Sequence, residues 1–185
     1  MKDTKLNNSA KVGFHQIGSM SILNQLLPRK VFFTTGKASH EDPLMSFELA
    51  LRDAGIEKFN IVQVSSILPP SCEIIERDEG IKNLIPGQII FCVMARKTSN
   101  EYGKTIYASI GVAVPNDPTK NGYLTEYYGY CNEDDDVGKL AEDSAIYMFK
   151  SAFNEDPAKS FSVTVKTKVE KDKYTTALAA AVLIL

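Results

Sequence analysis

From Gln88 to Ala95 the chain reads QIIFCVMA, an uncharged apolar run flanked by Pro86-Gly87 and Arg96. Such a run is a strand buried on both faces, so the fold must place a layer on each side of it. Other strand-like segments lie on either side of it. Upstream are Lys30–Thr34 (KVFFT), NIVQVSS ending at Ser66, and CEIIER from Cys72. Downstream are Thr105–Val114 (TIYASIGVAV) and Tyr123–Tyr130 (YLTEYYGY), joined by PNDPTKNG, a turn by composition. Phe161–Val169 and Tyr174–Leu185 close the chain. That makes eight strand-like segments, many of them successive and separated by short turns, which argues for antiparallel pairing.

Two segments read as helices. Pro43 suits a first helical position, Leu44, Phe47, Leu51 and Ala54 recur at helical spacing, and Gly55 suits the C-terminal cap. The acidic run Glu133–Asp136 precedes a second helix with an apolar face of Leu140, Ala141, Ala145, Met148 and Phe149. Negative charge belongs at the first turn of a helix, where the macrodipole favours it. Residues 1–29 are weakly periodic and read as an extension with a short helix near Ser21–Leu27. The fold class is therefore α+β, with stacked sheets flanked by helices.

Several chemistries are excluded or weakened. A net charge of -2 offers no electrostatic footprint for nucleic acid. Cys72, Cys92 and Cys131 are odd in number and widely spaced, with no C-x-x-C, so reduced thiols are expected and a zinc site is not. No H-x-x-x-H or H-x-H pattern offers a metal site. Gly36-Lys37 lacks the rest of a phosphate-binding loop. A Ser-His-Asp triad needs a positioned histidine, and of His15 and His40 only His40 is a candidate. With no signal-peptide core and no membrane-length apolar run, the reading is a soluble, cytoplasmic protein.

One stretch resists the bland readings. Residues 59–75 are FNIVQVSSILPPSCEII, with Ser65-Ser66 at the end of an apolar strand and Pro69-Pro70 just beyond. Serine is a poor strand residue. A serine hydroxyl can attack the carbonyl of the preceding residue when the backbone pre-aligns the two. An apolar strand on one side and a diproline on the other can supply that rigidity. Asn60 and Ser66 share parity along a strand, so both can face one side, although a turn residue before the strand is the simpler reading of Asn60.

The stretch ALRDAGIEKFNIVQVSSILPP, with GQIIFCVMA, SIGVAVP, GYLTEYYG and the C-terminal TALAAAVL, resembles the pyruvoyl-dependent arginine decarboxylases from about Lys30 to Leu185. The resemblance implies a four-layer αββα sandwich with mainly antiparallel sheets, in a domain of residues 30–185. It implies a zymogen that cleaves itself between Ser65 and Ser66 into a β chain (1–65) and an α chain (66–185). Ser66 would become a covalently bound pyruvoyl group, with no metal and no pyridoxal phosphate.

In the family this ketone forms a Schiff base with the substrate amine and acts as electron sink during decarboxylation. The resemblance assigns self-processing assistance to Asn60 and proton donation to Glu126, which Tyr123, Tyr127 and Tyr128 flank. An outward-facing glutamate is the alternative reading of Glu126. Substrate contact falls to Glu48, where some members carry aspartate and where a solvated helix residue is the alternative. The implied reaction converts L-arginine to agmatine and CO2, serving polyamine biosynthesis or acid resistance. The implied assembly is a homo-trimer of αβ units, or a higher multiple, with sites between neighbouring subunits. The same chemistry on another amino acid, an N-terminal-nucleophile amidohydrolase using Ser66, and an uncleaved binding domain are the competing readings.

Overall fold

The computed structural model describes residues 26–185. Its elements run β1 (Lys30–His40), α1 (Pro43–Ala54), β2 (Asn60–Gln63), β3 (Ile67–Leu68), β4 (Glu73–Ile74), α2 (Arg77–Lys82), β5 (Ile89–Ser99), β6 (Thr105–Val114), β7 (Gly122–Cys131), α3 (Val137–Phe153), β8 (Lys159–Lys168) and β9 (Tyr174–Ile184). One sheet has the order β2-β5-β9-β1-β4 and the other β3-β7-β6-β8. The long strand pairs are antiparallel, and only the short strands β2 and β4 pair in parallel, with β5 and β1.

Strand alternation builds the layers. On β9, Ala177, Ala179, Ala181 and Leu183 point into the space between the sheets, where they meet Ile106, Ala108, Ile110 and Val112 of β6. The intervening Leu178, Ala180 and Val182 pack outward with Ala50, Leu51 and Ala54 of α1. Phe149 of α3 packs with Ala113 on the outer face of the second sheet. The result is helix, sheet, sheet, helix: the αββα sandwich expected from the resemblance. Among the described residues no helix is long and apolar enough to cross a membrane.

Helix α1 begins and ends where its local chemistry says it should. Asp42 caps it, accepting from the amides of Leu44 and Met45, Pro43 holds the first turn, and Gly55 closes it at φ 76°. Its buried face is smaller than the periodicity suggested: Ser46, Ala50, Leu51 and Ala54 are buried, whereas Leu44 is 65% exposed. Small residues let the helix lie close on β1, and Gly36 is where it touches. A Cβ at Gly36 would stand 2.0 Å from the Ala50 carbonyl oxygen. Gly36→Ala is therefore expected to cost about 1–3 kcal/mol through forced displacement of the helix, read as a fall of several degrees in Tm.

That contact also explains a difference from the sequence reading. The first strand does not stop at Thr34 as its KVFFT run suggested: residues 35–40 continue β1 and pair with β9 from Tyr174 to Ala179. Their turn-like composition is overridden by a long antiparallel partner and a covering helix. CEIIER, expected as a strand, contributes only Glu73–Ile74 to the sheet before Arg77 begins α2. Asp136, the last residue of the acidic run, caps α3 by accepting from the Lys139 amide. Within that run, Asp135 accepts from the Asn132 amide and Glu133 pairs with Lys168. The helix expected near Ser21–Leu27 lies outside the described residues for all but its last two positions, and His15 lies wholly outside them.

Candidate active site

The unusual stretch is a passage between the two sheets. Strand β2 belongs to the first sheet, and its register is continued by the Val64 amide, which donates to the Cys92 carbonyl at 3.0 Å. Strand β3 belongs to the second sheet, and the Leu124 amide donates to the Ser66 carbonyl at 2.9 Å. The Ser65–Ser66 peptide bond falls between those two anchors. Beyond it the chain returns to the first sheet at β4. Pro69 accepts from the Cys72 amide at 3.2 Å, and Ser71 turns with φ 56°. The diproline thus fixes the return turn.

Because β3 has only two paired residues, the edge of β7 beyond Tyr123 has no strand beside it among the described residues. Glu126 lies on that edge, on the same face as buried Leu124. Its side chain is half-buried, and Ser66 Oγ donates to Glu126 Oε2 at 2.8 Å. The outward-facing alternative for Glu126 is therefore not what the fold adopts. Ser66 and Glu126 line a depression of about 510 Å³ together with Tyr127, Ser144 and Tyr147. That size suits a small-molecule ligand. Tyr127 and Ser144 share a hydrogen bond of 2.9 Å, tying the strand wall to the helix wall.

Of the tyrosines flanking Glu126, only Tyr127 lines this depression; Tyr123 packs on Phe153 and Tyr128 is exposed. Ser144 and Tyr147 of α3 escaped the sequence reading. Their one signal was a polar helix face, opposite the Ala141–Ala145 stripe, that carries a large aromatic.

Asn60 and Glu48 do not join Ser66 within one chain. The parity argument for Asn60 fails because β2 ends at Gln63 and the chain changes sheets before Ser66. The Asn60 side-chain carboxamide donates to the Gly87 carbonyl at 2.7 Å. Glu48 and Asn60 share a second depression of about 400 Å³, walled by Phe47 and Phe59. Glu48 there accepts from the Arg52 guanidinium at 3.2 Å, one helical turn away.

Other nucleophiles are poorly placed. His40 accepts from the Asp42 amide at the end of β1 and is not among the residues lining the Ser66 depression. Burial pushes the Cys72 thiol up to about 11 and the Cys92 thiol to about 12. Both stay protonated at neutral pH, and a thiol without its proton lost is a weak nucleophile.

Fold and site together define an α+β enzyme whose serine and carboxylate meet at a crossover between stacked sheets. Comparison with known proteins makes the class specific. A family model described as "Pyruvoyl-dependent arginine decarboxylase (PvlArgDC)" matches residues 30–185. Pyruvoyl-dependent arginine decarboxylase 1 of Archaeoglobus fulgidus is 62% identical over 160 residues, covering 86% of this chain and all 100% of the relative. Its namesake in Methanosarcina acetivorans is 50% identical over 165 residues, 89% of this chain and 100% of the relative. A probable pyruvoyl-dependent arginine decarboxylase of Chlorobium limicola is 45% identical over 177 aligned positions, covering 85% of this chain and 98% of the relative. The chain belongs to the pyruvoyl-dependent arginine decarboxylase family.

Proposed function

We propose that this chain cleaves itself between Ser65 and Ser66 and then decarboxylates L-arginine to agmatine and CO2. The observation that carries the reading is the 2.8 Å contact from Ser66 Oγ to Glu126, at a peptide bond held from both sheets. The hydroxyl attacks the Ser65 carbonyl, forming an ester as the peptide C–N bond breaks. β-Elimination frees a β chain ending in the Ser65 carboxylate. Hydrolysis of the resulting dehydroalanine consumes water, releases ammonia and leaves a pyruvoyl group at position 66.

The residues around Ser66 fit such a group, because its three carbons would be those of Ser66 and it would face the same depression. Once formed, the ketone supplies the electron sink for loss of CO2. Glu126 lies beside that position and serves as proton donor to the carbon left by CO2. Tyr127 and Tyr147 flank the site.

Glu48 is the residue we assign to the substrate guanidinium. A carboxylate grips this planar cation through paired hydrogen bonds, and Glu48 already holds one, that of Arg52. Since Glu48 and Asn60 occupy a separate depression from Ser66, a complete site needs both surfaces to come from neighbouring subunits. This supports a homo-trimer of αβ units, or a multiple of it, in which Asn60 assists the processing of a neighbour. Val62, Ile67 and Ile89 leave exposed apolar side chains around the crossover that such contacts would cover. Glu48→Ala is expected to raise KM for arginine by about 10–100-fold, the worth of a charge-assisted hydrogen bond. Steady-state kinetics should show a much smaller change in kcat.

Intact-mass spectrometry of the denatured protein tests the main reading. Two chains divided at Ser65–Ser66 are expected, the α chain lighter by one ammonia than a chain beginning with serine. An α chain that keeps its serine would instead favour an amidohydrolase. One uncleaved chain without decarboxylase activity would remove the proposal's basis.

A further inference from the structure

We infer that the backbone N–H of Ile67 is a catalytic donor in the cleavage step, stabilising the oxyanion that forms on the Ser65 carbonyl. The inference rests on the self-cleavage proposed above and assigns a group within that reaction. The Ile67 amide donates to the Ser65 carbonyl oxygen at 2.9 Å, closing a three-residue turn centred on Ser66. The scissile carbonyl thus already carries a hydrogen bond, from the amide two residues on.

The sheet arrangement explains why this amide is free to do so. In the antiparallel pairing of β3 with β7, the Ser66 carbonyl is bonded to the Leu124 amide, and Ile67 stands opposite Tyr123. Bonded and non-bonded pairs alternate along such a ladder, so the Ile67 amide points away from β7. Among the described residues, strand β3 is an edge with no strand beyond it. Neighbouring donors are committed elsewhere. The Val64 amide goes to Cys92, the Leu124 amide to Ser66, and within this chain the Asn60 carboxamide goes to Gly87.

The turn therefore assembles three parts of an acyl transfer at consecutive residues. Ser65 supplies the electrophilic carbonyl, Ser66 the hydroxyl, and Ile67 the oxyanion donor. As Oγ bonds to the Ser65 carbon, the carbonyl π electrons move onto oxygen, where the Ile67 N–H meets the growing charge. Collapse of that oxyanion breaks the C–N bond, and the hydroxyl proton ends on the freed Ser66 amine. Glu126, hydrogen-bonded to Oγ, aims the hydroxyl. No added reactant is needed for this step. A donor fixed beforehand costs no reorganisation as charge develops, which is why such donors have large effects.

The test replaces one backbone amide by an ester. Isoleucine 67 is exchanged for its 2-hydroxy-acid analogue during in vitro translation of the full chain, deleting the N–H and keeping the side chain. Because the ester also weakens the Ser66 carbonyl as an acceptor, a second chain carries the ester at Leu124, removing the amide that donates to it. Cleavage between residues 65 and 66 is followed by mass spectrometry, and thermal unfolding checks that both chains fold. Slowing by about 10²–10³-fold at position 67 is expected, the effect of losing one oxyanion donor. The ester at 124 should stay within about tenfold of the natural chain, as expected for one ordinary backbone hydrogen bond.

Cleavage of the position-67 ester at the natural rate would overturn the inference, as would equal slowing of both esters. Failure of the natural chain itself to cleave would overturn the proposed function and this inference with it. The two failures are therefore told apart by the natural chain alone.

Discussion

Ser66→Ala is expected to give one intact chain of 185 residues with no measurable decarboxylase activity. The variant keeps the fold, because what it removes is one half-buried hydrogen bond to Glu126. A bond of that kind contributes about 0.5–1.5 kcal/mol, within reach of a domain whose stability is about 5–15 kcal/mol. The chemistry, by contrast, loses its nucleophile altogether. Without Oγ no ester forms, no elimination follows, and no ketone appears at position 66. The discriminating measurement pairs intact mass with thermal unfolding. An unchanged or slightly lower Tm beside complete loss of cleavage is the expected pattern. A chain that still divided at residue 65 would place the nucleophile elsewhere.

Glu126→Gln separates the two stages of the reaction. The carboxamide oxygen can accept from Ser66 Oγ as the carboxylate does, so self-cleavage is expected to continue. Decarboxylation is different, because a carboxamide cannot deliver a proton to carbon. Losing a positioned proton donor typically costs about 10²–10⁴-fold, and the loss should fall on kcat with KM for arginine nearly unchanged. The combination expected is therefore two chains by mass and a severe kinetic defect. Loss of cleavage with it would mean that Glu126 acts on the Ser66 proton as well as aiming it. An active Glu126→Gln enzyme would remove Glu126 from the proton-transfer role.

Much of the molecule was legible from short-range signals. Helix α1 was announced by Pro43 and Gly55, because caps satisfy backbone groups within a few residues. The buried strand at Gln88–Ala95 was announced by its lack of charge, and β5 begins one residue later. The Ser65-Ser66 pair stood out because neither strand propensity nor turn chemistry explains it. The extension of β1 through residues 35–40 was hidden, since Thr-Thr-Gly-Lys reads as a turn unless its partner is known. That partner is β9, more than a hundred residues away. The depth of helix packing was hidden for the same reason: Gly36 looks like a loop glycine until Ala50 is found above it.

The site divides in the same way. The amino-acid sequence alone nominated the residues proposed to carry the chemistry: the serine pair, a carboxylate in the YLTEYYGY strand and an acidic residue on the first helix. Side-chain identity is a local property, and a motif records it directly. Only the tertiary structure decided which of them meet. It brought Ser66 to Glu126 across 60 residues of chain, because the chain leaves the first sheet after β2 and β3 ends early against β7. It kept Glu48 and Asn60 on a different surface, and it turned the Ile67 amide back onto the Ser65 carbonyl. Sheet membership and register are set by pairing between distant strands and by the packing of two sheets. No window of sequence around Ser66 contains that information.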